Sequence, residues 1–216
     1  MEHAGLDGGG PSARAVNFLR FPELEARGLR HAFTLRSAPP LISKDVPRIL
    51  QEAELPENYA IGEQTHGAGV AVIRGESEGK VIPTVDALVT REKNLSLVIR
   101  VADCGPVWIH CGKTGAIALV HSGRRGTEAG VVPAAIRRMR EEFGSDPQQM
   151  LALLGPCIRP PHYDVDFASQ ILRQLHGENV GKVVDSGLCT ATDLERFYSY
   201  RAEHGQTGRH FAMVAL

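Results

Sequence analysis

LSLVIRVADCGPVWIHCGKTGAIALVHSGRRGT, residues 95–127, holds the pattern that decides how this chain folds. Leu95, Leu97, Ile99 and Val101 alternate with Ser96, Val98 and Arg100, the period-two pattern of a strand with one buried face. That strand runs directly into Ala102, Asp103 and Cys104. Two further apolar runs, 107–111 and 116–120, are separated by Gly112, Lys113, Thr114 and Gly115, which read as a tight connection between antiparallel strands. Pairing 111 with 116 sets 107 opposite 120, so Cys104 and His121 both emerge at the open end of the hairpin.

A cysteine and a histidine brought together this way support two chemistries. As nucleophile and base, Cys104 would attack an acyl carbon while His121 holds its proton. As ligands, the two would bind a borderline metal such as zinc, with His66 the natural third. His66 sits in GEQTHGAG, residues 62–69, where glycines let the backbone bend and let another group come close. Three protein ligands leave the fourth position of a catalytic zinc site open to water or substrate. An inert buried thiol and hydrogen-bonded structural histidines explain the same residues equally well at this level. After His121, Arg124 and Arg125 lie between Gly123 and Gly126, just before a helix begins. Exposed N–H groups and guanidinium forks suit an oxyanion such as phosphate, although the spacing is not that of a G-x-x-x-x-G-K-[ST] loop and solvated arginines fit too.

Working outward, a net charge of -1 with 43% hydrophobic and 23% charged residues is ordinary for a globular domain and gives no reason to expect nucleic acid or a membrane as partner. No run approaches the roughly 18 apolar residues of a membrane span, and the N-terminus lacks the basic-then-apolar order of a signal peptide, so a cytoplasmic protein is expected. The four cysteines, 104, 111, 157 and 189, form no C-x-x-C pair; reduced thiols are expected, with Cys111, Cys157 and Cys189 structural. Residues 1–15 are glycine-rich and aperiodic and are expected to form a flexible end, leaving 16–216 as one domain. Strands are expected at 68–74, 85–90, 95–101, 107–111, 116–120 and 150–154, and helices at 130–143 and 166–176, with a short one after Pro47. Val132, Ile136, Met139 and Phe143 form one buried stripe of the first of these two helices.

Several short segments, in order, resemble those of the YfiH-like proteins, labelled laccase-domain or polyphenol oxidoreductases and read as zinc-dependent purine nucleoside enzymes. They are HAFTLR (31–36), QTHG (64–67), DALVT (86–90), ADCGP (102–106), HSGRRGT (121–127), GPCI (155–158), YDV (163–165), CT (189–190), SYR (199–201) and TGR (207–209). The resemblance implies a single α/β domain of layered mixed sheets flanked by helices, an α/β/β/α sandwich. It implies one zinc on His66, Cys104 and His121, phosphorolysis of adenosine, inosine, guanosine or methylthioadenosine, and adenosine deamination. Purine nucleoside and phosphate are the implied partners. This chain departs from the family in carrying Arg124 where a tryptophan is usual, Ala38-Pro39-Pro40 in place of a glycine pair, and a shorter stretch between Val165 and Cys189.

On that reading Arg125, with Arg36, holds phosphate for attack at the ribose C1′, Asp103 orients a ligand histidine or moves a proton, and Gln64, expected on the same strand face as His66, hydrogen-bonds the base. The H-x-E and P-C-x-x-C signature of zinc deaminases is absent. Two rivals remain. Two histidines and a cysteine are also the trigonal set of a blue-copper centre, for which no axial methionine is found among the motifs, and Cys104 with His121 also suits a metal-free cysteine hydrolase.

Overall fold

The computed structural model describes residues 15–77 and 79–216. The flexible end expected at 1–15 therefore lies, but for its last residue, outside the described residues. The strands in chain order are β1 (Phe18–Leu19), β2 (Arg30–Thr34), β3 (Tyr59–Gly62), β4 (Val70–Val72), β5 (Lys80–Ile82), β6 (Ala87–Thr90), β7 (Ser96–Val101), β8 (Gly105–Cys111), β9 (Ile117–Ser122), β10 (Met150–Leu154), β11 (Lys182–Asp185) and β12 (His210–Ala215). The helices are α1 (Pro22–Glu25), α2 (Val46–Glu52), α3 (Arg124–Glu128), α4 (Val131–Phe143) and α5 (Phe167–Gly177).

The strands form two mixed six-stranded sheets, in the orders β1-β2-β12-β7-β3-β5 and β11-β10-β8-β9-β6-β4. Their inner faces meet in one apolar core containing Phe33, Leu97, Ile99, Val101, Leu119, Leu153 and Val214. Trp108, fully buried there, reaches across and donates its indole N–H to the Met213 carbonyl at 3.1 Å. The outer face of the second sheet is covered by α4 and α5 through Val132, Ile136, Met139, Phe167, Ile171 and Leu175. The outer face of the first is covered by α2 through Val46, Ile49 and Leu50. The result is the four-layer α/β/β/α arrangement, and among the described residues no helix is long and apolar enough to cross a membrane.

The β8–β9 hairpin has the expected register, Val107 opposite Val120, and closes through Gly115 at φ 70°, where glycine adopts a left-handed conformation without steric cost. α4 is bounded by Gly130 and Gly144, both left-handed, and α5 is capped by Asp166, whose carboxylate accepts from the Ser169 N–H at 2.9 Å. The alternation in β7 does not mark one exposed face. Ser96 and Val98 are buried as fully as Leu97, because the strand is covered on one side by the second sheet and on the other by the α2 layer. β7 and β8 are not continuous either: the chain crosses from the first sheet to the second through residues 102–104. That crossover places Cys104 where the two sheets part.

Candidate metal centre

Cys104 leaves the crossover beside Asp103, whose φ of 83° turns the chain sharply. His121 lies on β9, where β8 and β9 approach their open end, and is 3% exposed. His66 arrives from the loop that follows β3, in which Gln64 (φ 67°) and His66 (φ 62°) are both left-handed. Gln64 and His66 therefore share no strand face. One ligand atom from each of His66, Cys104 and His121 lies within 4.8 Å of the others, and the two imidazoles meet edge to face with centroids 4.9 Å apart.

The residue that builds this cluster is Asp86, a position to which the sequence reading gave no role. It is 1% exposed and heads β6. Its Oδ1 accepts from the His66 backbone N–H at 2.9 Å and contacts His121 Nδ1 at 2.8 Å; its Oδ2 accepts from Gly67 N–H at 2.8 Å. One carboxylate thus folds the loop that carries one histidine and fixes the ring of the other, leaving His121 Nε2 to face the sulfur. Asp103, the expected orienter, does none of this. Its Oδ1 accepts from the Thr190 hydroxyl and its Oδ2 from the Arg201 backbone N–H, both at 2.7 Å, so it ties the C-terminal segment to the crossover instead.

The glycines divide by task. A side chain at Gly123 would overlap the Cys104 sulfur, so only glycine leaves room for the thiol to point at the two rings. A Cβ on Gly62 would lie 3.1 Å from the Val85 carbonyl oxygen, and one on Gly69 would overlap that of Thr84; these glycines press their loop against residues 84–86 rather than against an ion.

The protein's own groups polarise the cluster. Burial would push the Cys104 thiol up, but hydrogen bonds from His121 and His66 outweigh it and bring the thiol down to about 6. Burial would likewise depress His121, yet Asp86 and the Cys104 sulfur raise it to about 9. Asp86 is held below its ordinary value: the hydrogen bond with His121 and those from Gly67 and His66 overcome its burial. A thiolate and two imidazoles, one braced by a carboxylate, form a donor set that fits a borderline divalent cation, which would take the place of the proton His121 shares with the sulfur.

Two cavities meet at the cluster. The larger, about 570 Å³, is walled by Ile158, Tyr163, Phe167 and Tyr200 and by Arg100, Arg201 and Arg209. The smaller, about 420 Å³, is lined by Arg124, Arg125, Glu128 and Tyr163, with His66 and Cys104 as the shared wall. Arg125 is exposed, on α3 rather than in the loop expected there. Arg36 lines neither cavity. Its guanidinium donates through Nε and Nη2 to the Phe197 carbonyl at 3.1 and 2.9 Å, pairs through Nη2 with Glu203 at 2.8 Å and stacks over Tyr198, which commits it to the packing of residues 197–203. Gln64 borders the larger cavity, but its amide is held at both ends by Arg100: Nε2 donates to the carbonyl at 2.6 Å and Oε1 accepts from the N–H at 2.8 Å. It continues the pairing of β3 with β7, which takes one donor and one acceptor of its amide. Cys157 and Cys189, read as unrelated structural thiols, pair as an isolated parallel bridge beside this wall, and burial pushes the Cys157 thiol up to about 12.

A family model described as multi-copper polyphenol oxidoreductase laccase matches residues 27–170 and 162–216. The chain is 44% identical over 179 residues to a purine nucleoside phosphorylase of Streptomyces coelicolor, covering 71% of this chain and 73% of that protein. It is 32% identical over 188 residues to a purine nucleoside phosphorylase of Corynebacterium glutamicum, covering 74% of this chain and 75% of that protein. The crystal structure of Bacillus licheniformis YfiH superposes with a TM-score of 0.81 at 19% identity, over 92% of this chain and 96% of that one. The four-layer fold, the family match and the relatives together assign the chain to the YfiH-like family of laccase-domain, polyphenol-oxidoreductase proteins.

Proposed function

We propose that this protein is a zinc-dependent purine nucleoside phosphorylase, acting on adenosine, inosine, guanosine or methylthioadenosine. The observation that carries the reading is the position of the His66, Cys104 and His121 cluster, two of whose members, His66 and Cys104, form a wall shared by two cavities of different character. The names of the Streptomyces and Corynebacterium relatives support it. The larger cavity offers Tyr163, Phe167 and Tyr200 to a purine and ribose, within the size range of pockets that bury a whole small ligand. The smaller offers the Arg125 guanidinium to inorganic phosphate, beside Arg124, which is paired with Glu128 at 3.0 Å. A phosphate held there faces the anomeric carbon across the cluster, so the two reactants are brought together and oriented.

Zinc, when bound, supplies a Lewis acid at that shared wall. His66, Cys104 and His121 would hold it, and Asp86 keeps the His121 ring turned toward it. Arg125, exposed and with no side-chain hydrogen bond to the described residues, is the group that seats phosphate. Tyr163 borders both cavities and separates the phosphate seat from the purine side. Four free cysteines suit the reducing cytoplasm in which we place the enzyme.

The name of the matched family keeps copper in view, because a thiolate and two imidazoles also suit that metal. Among the described residues no methionine lines either cavity to act as an axial ligand, which favours zinc. The test is chromatography of products after incubating zinc-loaded protein with adenosine, with and without phosphate, alongside Cys104→Ala. Phosphate-dependent adenine, lost in the variant, is expected; inosine formed without phosphate would reveal the deamination that the family resemblance implies. Turnover that survives a strong chelator would overturn the metal-dependent reading and favour Cys104 as a nucleophile.

A further inference from the structure

On the phosphorylase reading, inorganic phosphate takes the smaller cavity and the nucleoside the larger. The larger one then carries more positive charge than a nucleoside alone engages. Arg100, Arg201 and Arg209 all line it, and none is within ion-pair distance of a carboxylate among the described residues. Each is held in place by neutral groups. Arg100 donates to the Ser43 hydroxyl and the Glu63 carbonyl, both at 3.3 Å; Arg209 donates to the Gly208 carbonyl at 2.9 Å and lies over Tyr200; Arg201 lies over Tyr163. Guanidiniums braced by ring faces and carbonyls keep N–H edges free while losing little further freedom on binding an anion.

The two acids of this cavity form no ion pair with them. Both Asp103 oxygens are occupied by Thr190 and the Arg201 backbone, and Glu63 accepts from the Thr84 N–H at 2.7 Å. An anionic ligand would supply the counter-charge that these half-buried and exposed guanidiniums lack. The phosphate seat at Arg125 lies in the other cavity, which shares with this one only His66, Cys104, Arg124 and Tyr163.

The geometry points to a substrate of the larger cavity that is itself anionic: a purine nucleoside carrying a phosphate, such as a nucleoside 5′-monophosphate. The inference rests on the phosphorylase reading for the reaction but on the arginines alone for binding. The step balances. With adenosine 5′-monophosphate (AMP), an oxygen of inorganic phosphate forms a bond to C1′ as the C1′–N9 bond breaks, and the bond pair stays on N9. Adenine then takes the proton given up by the attacking dihydrogen phosphate, and ribose 1,5-bisphosphate is the second product.

The experiment compares AMP with adenosine on the zinc-loaded protein in two readouts. By calorimetry, AMP is expected to bind at least 10-fold more tightly than adenosine, with the advantage shrinking as salt rises. By product mass spectrometry at fixed phosphate, ribose 1,5-bisphosphate is expected, with a kcat/KM for AMP above that for adenosine. Arg209→Ala and, as a second variant should that one misfold, Arg201→Ala are expected to lower the AMP-to-adenosine ratio in both readouts. Adenosine turned over while AMP binds no better would overturn this inference and leave the phosphorylase reading standing. Tight AMP binding with no turnover of either compound would overturn the phosphorylase reading and keep the anionic ligand.

Discussion

Cys104 and His121 reach the site from one hairpin, whereas His66, Asp86 and the arginines of the larger cavity arrive from segments scattered between residues 62 and 209. The hairpin half obeys local rules: a glycine-closed turn fixes register, and register fixes which residues share its open end. The other half depends on parallel pairing of β3 with β7 and β4 with β6, where nothing in the strands names the partner. Asp86 joins the halves, so the comparison can be broken or sharpened there first. Asp86→Ala deprives the His121 ring and two loop N–H groups of their acceptor. Zinc affinity is expected to fall about 10- to 100-fold and stability by about 3 kcal/mol, read by chelator competition and thermal unfolding. Asp86→Asn, which keeps an acceptor, should fall between. Wild-type zinc affinity in the alanine variant would mean that the two halves assemble independently.

Next in size is a test within the hairpin half. Gly123→Ala places a methyl group on the Cys104 sulfur, and a ligand displaced by about 1 Å costs on the order of 100-fold in activity. Gly115→Ala, at the far end of the same hairpin, strains a left-handed turn and is expected to cost only about 1 kcal/mol of stability. Equal losses of activity in the two variants would show that the glycine at 123 serves the hairpin and not the cluster.

The third effect is a shift in pH. With metal removed by chelation, alkylation of Cys104 is expected to rise with pH through a midpoint near 6, because the thiolate is the reactive form and His121 and His66 favour it over the effect of burial. In His121→Ala the largest favourable contribution is gone and burial remains, so the midpoint moves back toward or above the ordinary 9.0. Mass-spectrometric labelling of Cys104 against pH reads both. An unmoved midpoint would mean that the sulfur is not coupled to the second ligand of its own hairpin.

What could be read from the sequence follows the same division. The hairpin register, α4 and α5 were visible as periodicity and glycine punctuation, and the Cys104–His121 juxtaposition followed from the register. Strands β1, β2, β3, β5, β11 and β12 were missed: β1, β3 and β5 are too short to show a period, and β12 is buried on both faces, so it does not alternate. Asp86 was one acidic residue at the head of an apolar strand. The signal available was that a carboxylate entering a strand buried throughout must find several donors. Gln64 and Asp103 flank the ligands in sequence and were given chemical roles for that reason, yet both spend their polar atoms on backbone or hydroxyl partners.

The smallest expected effect separates the two arginines assigned to phosphate. Arg36 belongs to the packing of residues 197–203: Arg36→Ala loses a buried carbonyl contact, an ion pair with Glu203 and a stacked ring, for about 1–2 kcal/mol of stability, and leaves the KM for phosphate unmoved. Arg125, exposed and unbonded, should behave in the opposite way. Arg125→Ala is expected to leave the melting temperature unchanged and raise the phosphate KM several-fold, since one charge-assisted hydrogen bond is worth roughly 1.5–3 kcal/mol and solvent screening reduces it at an open site. Phosphate titrations paired with thermal unfolding decide the matter. A phosphate KM that rises in Arg36→Ala and not in Arg125→Ala would move the phosphate seat out of the smaller cavity.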